Sequence, residues 1–146
     1  MVNSFYSKVI KDLAQAIAHA EGFGVPGAVP TRAHNPGDLK IPNWKGPITG
    51  NENISVFSDD ETGWERLYHQ LDLIVTKKSH VYNLKMTFID FANKWTTTEQ
   101  SFWLDNVMLK LRNLGYIINK NTTLKEYFSE PFFETIEKNE EKKENE

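Results

Sequence analysis

Cysteine is absent from the 146-residue chain. Its absence excludes disulfides, thiolate nucleophiles and cysteine-ligated metal, and it leaves the compartment open. No run of 18 apolar residues occurs, so no membrane-spanning helix and no insertion into a bilayer are expected. The opening residues, M-V-N-S-F-Y-S-K, have neither the basic start nor the apolar stretch of a secretory signal. An excess of positive charge is missing as well. Six glutamates and three lysines between Glu134 and Glu146 account for the whole net charge of −3, leaving 14 basic and 14 acidic side chains elsewhere. Such a neutral body lacks the basic face that nucleic-acid binders present, so no nucleic-acid partner is expected. There is no Gly-x-Ser-x-Gly elbow, P-loop or dinucleotide fingerprint. His19, His34, His69 and His80 form no zinc spacing, and His19 and Glu21 face different sides of one helix. Neither a metal site nor a cofactor is expected.

What is present suits one globular domain. Hydrophobic residues make up 39% of the chain and include four tryptophans, enough for a core over residues 1–133. Residues 134–146 read as an acidic, frayed tail after a short helix around Pro131 to Ile136. Apolar spacing predicts a helix over residues 4–21. Residues 22–37 hold four glycines and three prolines and read as a long loop. Asp38–Ile41 and Ile54–Phe57 are short strand candidates, joined through Pro42, Gly46, Pro47, Gly50 and Asn51 into a small irregular hairpin. Ser58 and Glu61 read as a capping box before the helical run Trp64 to Val75. Further helices are expected over Thr87–Trp95, over Glu99–Leu114 with a threonine cap at Thr97 or Thr98, and after the Thr123–Glu126 capping box. The predicted class is α+β, mostly helical, with the small hairpin beside the site.

Glu21 is the most informative side chain. At about 100° per residue it points nearly the same way as Ile10 and Ala14, on the apolar face of the first helix. A solvated glutamate would sit beside Lys8, Lys11 and Gln15. Poor solvation and the negative end of the helix dipole are both expected to raise its pKa, as a general acid requires. The alternative is a glutamate that frays outward or binds a loop amide.

The segment Thr31-Arg32-Ala33-His34-Asn35-Pro36-Gly37-Asp38-Leu39 gathers polar groups beside residues of special backbone geometry. If the hairpin folds over the end of the first helix, Asn35 and Asp38 face Glu21. Asp38 is then a second carboxylate for glycoside cleavage, or an aspartate bonding its own turn. Trp44 and Phe57, in or beside the hairpin, are candidate walls of a sugar-binding cleft or lids on the core. Trp64, Tyr68, Phe88, Phe91 and Trp103 read as core.

The runs A-E-G-F-G, P-T-R-A-H-N-P-G-D-L and I-S-V-F, with the later W-L-D-N-V-M-L-K-L-R-N-L-G and T-L-K-E-Y-F, resemble a branch of the lysozyme-like superfamily. That branch holds phage endolysins, virion-associated muramidases and bacterial lytic transglycosylases, and the likeness covers roughly residues 13–128. It implies Glu21 as the catalytic acid, peptidoglycan glycan strands as substrate, and Thr31, Asn35, Asp38 and Phe57 along the cleft. Relatives often carry a tyrosine near the position of Trp95, which joins the substrate-binding candidates. The chain has Glu21-Gly22 where better-known lytic transglycosylases have Glu-Ser, and it lacks their G-L-M-Q run. The implied reaction is cleavage of the β-1,4 bond between N-acetylmuramic acid and N-acetylglucosamine by a monomer, through hydrolysis or transglycosylation. A non-catalytic wall-binding or virion module and a chitin hydrolase are the competing readings. The site of action would be the cell wall, reached by phage release, within a virion or by another export route.

Overall fold

A computed structural model describes residues 6–129. Its central helix, α1 (Lys8–Glu21), begins where the Ser7 hydroxyl accepts from the Ile10 amide at 3.3 Å. That cap satisfies a first-turn amide that no helical carbonyl can reach. Residues 6 and 7, expected to be helical, stand before the helix, and residues 4 and 5 lie outside the described residues. Leu13, Ala14, Ala16 and Ile17 are wholly buried, and α1 packs chiefly on α5 (Gln100–Asn113) and α3 (Asp60–Val75). It stops at Gly22, whose φ of 87° lets the Phe23 amide return to the Ala18 carbonyl at 3.0 Å.

The remaining elements close around this helix. The short α2 (Val29–Arg32) interrupts what the sequence suggests is continuous loop, and Pro30 sits in its first turn, where a missing amide costs nothing. Capping boxes open both α4 (Phe88–Trp95), through Thr87 and Asp90, and α6 (Leu124–Phe128), through the expected Thr123 and Glu126. The two starts are tied by Leu124 donating to the Met86 carbonyl at 2.8 Å and Phe88 donating to Thr122 at 3.0 Å. Phe88, Phe91, Leu111 and Leu124 are fully buried.

Two expected helix starts are corrected. The cap of α3 is Asp59, not Ser58, and its carboxylate accepts from Thr62 at 2.7 Å. A charged acceptor at the positive end of a helix outcompetes a hydroxyl one residue earlier. Helix α5 starts after Glu99, whose left-handed φ of 51° makes it the N-cap, and neither Thr97 nor Thr98 caps it with a side chain. The expected helix around Pro131 to Ile136 and the tail lie outside the described residues.

The α+β expectation is also corrected. Helix accounts for 49% and strand for 3% of the described residues, and they contain no sheet. Segments 38–41 and 54–57 do come together, with the Ser55 amide donating to the Leu39 carbonyl at 3.1 Å. Side chains, however, take the places a ladder would use. Asn35, with no exposed surface, donates to the carbonyls of Leu39 at 2.9 Å and Ser55 at 2.8 Å, and accepts from the Leu39 amide at 2.9 Å. The Ser55 hydroxyl accepts from the Ile41 amide at 3.0 Å. Asp38, Asn43 and Asn53 have φ of 54–59°, which breaks any extended run, and the bridge from Ile48 to Ser55 stands alone. The chain forms a loop wrapped on one asparagine.

That loop is seated on α3 by close approach. A Cβ added to Gly63 would lie 2.0 Å from the His34 carbonyl oxygen, a backbone atom with no room to move. His34 Nδ1 also meets Asp60 at 2.8 Å, at the start of the same helix. Gly63→Ala should lower stability by roughly 2 kcal/mol or more, because overpacking here must lift the loop from the helix. Urea unfolding with a midpoint unchanged from wild type would contradict this.

Candidate active site

The wrapped loop, the segment after α3 and the end of α4 enclose a cleft of about 670 Å³, and Glu21 projects into it from the last turn of α1. Gly37 to Pro42, with Glu52 and Ile54, line it from the loop. Val81 and Tyr82 line it from the segment after α3, and Lys94 to Thr98 from the end of α4.

Two indoles fix the acid. Trp103, buried on α5, donates Nε1–H to Glu21 Oε2 at 3.1 Å. Trp95 stacks on Trp103 with ring centroids 6.3 Å apart and planes 24° apart, and its Nε1–H donates to the Gly37 carbonyl at 3.2 Å. The pair thus joins the glutamate, the loop and two helices.

Burial first and the neighbouring Asp38 carboxylate second push the Glu21 carboxyl up to about 7. The Trp103 N–H opposes the rise by favouring the anion. Poor solvation is the expected cause. The second is Asp38, where the sequence suggests the helix dipole. Asp38 itself is pushed up to about 6, by burial first and by Glu52 second, with Lys40 opposing. Its Oδ1 is buried and has no hydrogen-bond partner among the described residues. Burial raises the Tyr82 hydroxyl to about 12, so it stays protonated at neutral pH.

Trp103→Phe removes a bond that favours the ionised acid. The Glu21 titration midpoint, followed by carboxyl ¹³C NMR, should therefore move to higher pH in that variant. A midpoint that moves lower would contradict the assignment.

Of the residues predicted from sequence, the structure brings together Glu21, Asp38 and Trp95. It does not bring the others to the cleft. Thr31 accepts from the Gly24 amide at 2.9 Å and fastens the turn after α1. Asn35 is fully buried and cannot touch a ligand; it shapes the loop that carries Asp38. Phe57 is 3% exposed and belongs to the core. Trp44 packs edge-on against Phe57 with centroids 5.4 Å apart, donates to the Pro47 carbonyl at 2.8 Å and lies under the Arg66 guanidinium. It remains half-exposed, but it does not line the cleft.

Sequence reasoning misses Trp103, Tyr82, Lys40, Glu52 and Lys94 as site residues. Trp103 sits at a regular apolar position of α5, and nothing in the spacing distinguishes it from core. The run Thr96-Thr97-Thr98 directly after Trp95 is the one visible signal: three hydroxyls at a helix end that caps no following helix.

Chemically the cleft offers two carboxyl groups with separated titrations. Both are raised by burial, and Asp38, raised to about 6, gives up its proton before Glu21, raised to about 7. Among the described residues no cluster of three or more potential ligands could hold a metal ion. No protein-family model matches the chain, and neither does any curated protein or solved structure.

Proposed function

We propose that the chain is a peptidoglycan-cleaving glycosidase acting on the β-1,4 bond between N-acetylmuramic acid and N-acetylglucosamine. The observation that carries this reading is Glu21: a carboxyl held near neutrality in a cleft of about 670 Å³, beside a second carboxyl. The E-G and N-P-G-D-L runs that resemble lysozyme-like enzymes supply Glu21 and Asp38. Glu21 gives its proton to the leaving glycosidic oxygen as positive charge develops on the sugar ring. Trp95, Tyr82 and the threonines after α4 supply a ring face and hydroxyl groups for a sugar chain.

Hydrolysis is favoured over transglycosylation by Asp38 Oδ1, a buried acceptor without a donor among the described residues. Buried acceptors of this kind are satisfied by water, and a water held there is placed to attack the anomeric carbon. The water oxygen forms the new C–O bond, its proton passes to Asp38, and the alcohol leaves with the proton from Glu21.

Mass spectrometry of purified cell wall after digestion tests this. The expected products are soluble fragments ending in hydrated, reducing muramyl groups. Anhydro-muramyl ends, lighter by one water, would replace hydrolysis by transglycosylation. No release from wall, with release from N-acetylglucosamine oligomers, would replace the substrate.

A further inference from the structure

A second, smaller hollow of about 250 Å³ lies between α2 and the turn at residues 49–52, lined by Val29, Arg32, Thr49, Gly50, Asn51 and Glu52. Glu52 is part of the wall of both this hollow and the cleft, so the two adjoin. Its chemistry differs from that of the cleft. It has no aromatic ring to carry a sugar face, and it holds a cation and an anion together with amide and hydroxyl groups. Arg32 and Glu52 share the hollow but form no ion pair, with each other or with any other described residue. Arg32 is oriented by Nε donating to the Gly27 carbonyl at 2.9 Å, a bond that leaves its two terminal nitrogens as donors.

We infer that this hollow holds the peptide arm of a peptide-substituted glycan strand whose sugars lie in the cleft. The inference rests on the glycosidase reading. A planar guanidinium matches a peptide carboxylate, Glu52 matches the ammonium of a diamino acid, and Thr49 and Asn51 offer groups to the peptide amides. Val29 supplies the apolar contact. A sugar chain without peptides would leave both charges to water, so the hollow discriminates between decorated and bare strands.

The test compares peptide-bearing glycan strands with the same strands stripped of peptide by an amidase. Wild type is expected to cut the peptide-bearing strands about tenfold more efficiently in kcat/KM, the difference lying in KM. Arg32→Gln should lose about five- to tenfold on peptide-bearing strands and less than twofold on stripped ones. Asn51→Ala, which removes an amide offered to the peptide and leaves the Gly27 bond intact, should change both substrates in the same pattern. Equal losses on the two substrates, or no wild-type preference, would overturn the assignment. Cleavage of neither substrate would instead overturn the glycosidase reading, and the hollow is then decided by NMR titration with the free tetrapeptide. Amide shifts confined to Arg32 and residues 49–52 support it, and their absence overturns it.

Discussion

Glu21→Gln should reduce clearing of permeabilised cells by about 10²–10⁴-fold, the usual worth of a positioned general acid, while making the protein more stable at pH 8. The two effects have one origin. The glutamine keeps the size of the acid and one acceptor oxygen for the Trp103 N–H, so Trp103 and the cleft wall retain their packing. It has no acidic proton for the leaving oxygen, and activity is lost in kcat. The stability change follows from linkage. Glu21 titrates near 7 in the folded protein against an ordinary 4.5, so the fold binds its proton more tightly than the unfolded chain does. Stability is therefore greatest below about pH 4.5, declines as the pH rises through the interval to 7, and levels off above it. The decline from this group is on the order of 3 kcal/mol. Asp38, raised to about 6, contributes in the same direction at lower pH. Glutamine does not ionise and escapes the decline. Thermal melts should thus separate variant and wild type at pH 8 by several degrees and bring them together near pH 4. Wild-type activity in the variant, or a lower melting temperature at pH 8, would each contradict this role.

Asn35→Ala should destabilise the protein by about 3–5 kcal/mol, since each buried backbone group left without a partner costs about 1–3 kcal/mol. Two such groups depend on this side chain alone, the Leu39 amide and the Ser55 carbonyl, while the Leu39 carbonyl loses one of its two donors and keeps the Ser55 amide. None is reachable by bulk water at a site with no exposed surface. Asn35→Asp is the sharper variant. It is nearly isosteric, but an ionised carboxylate has no donor for two carbonyls and repels them, so it should be at least as damaging at neutral pH. Both variants should also lose wall-clearing activity, because Asp38 and the Gly37 carbonyl bonded by Trp95 sit on the loop that Asn35 shapes. Urea unfolding reads the first effect and the turbidity assay the second. A denaturation midpoint within error of wild type would remove Asn35 from the centre of the loop.

These two residues mark how far the sequence can be read. The burial of Glu21 is legible because helical periodicity carries its direction forward from Ile10 and Ala14, both of which are buried. The Thr123 capping box is legible because its hydrogen bonds close within four residues. Asn35 reads correctly as special but with the wrong role. Its partners lie up to 20 residues away, and whether an asparagine meets a ligand or the backbone depends on which side of it the chain passes. The same competition undoes the hairpin: alternating apolar residues at 54–57 suggest a strand, but the side chains of Asn35 and Ser55 occupy the hydrogen-bonding groups a ladder would need. Trp44 and Phe57 fail as cleft walls for a related reason. They satisfy each other and Arg66, a contact between segments that spacing does not predict. Trp103 is invisible because a core tryptophan and a tryptophan that holds a catalytic acid occupy identical positions on an amphipathic helix.

Titration of the Glu21 side-chain carboxyl by ¹³C NMR is the most direct test of the account. A midpoint near 7, moving lower when Asp38 is replaced by asparagine, is the predicted result, since burial and the Asp38 charge act together. A midpoint near the ordinary 4.5 would contradict it, because a carboxyl ionised at that pH has no proton to give a glycosidic oxygen under neutral conditions.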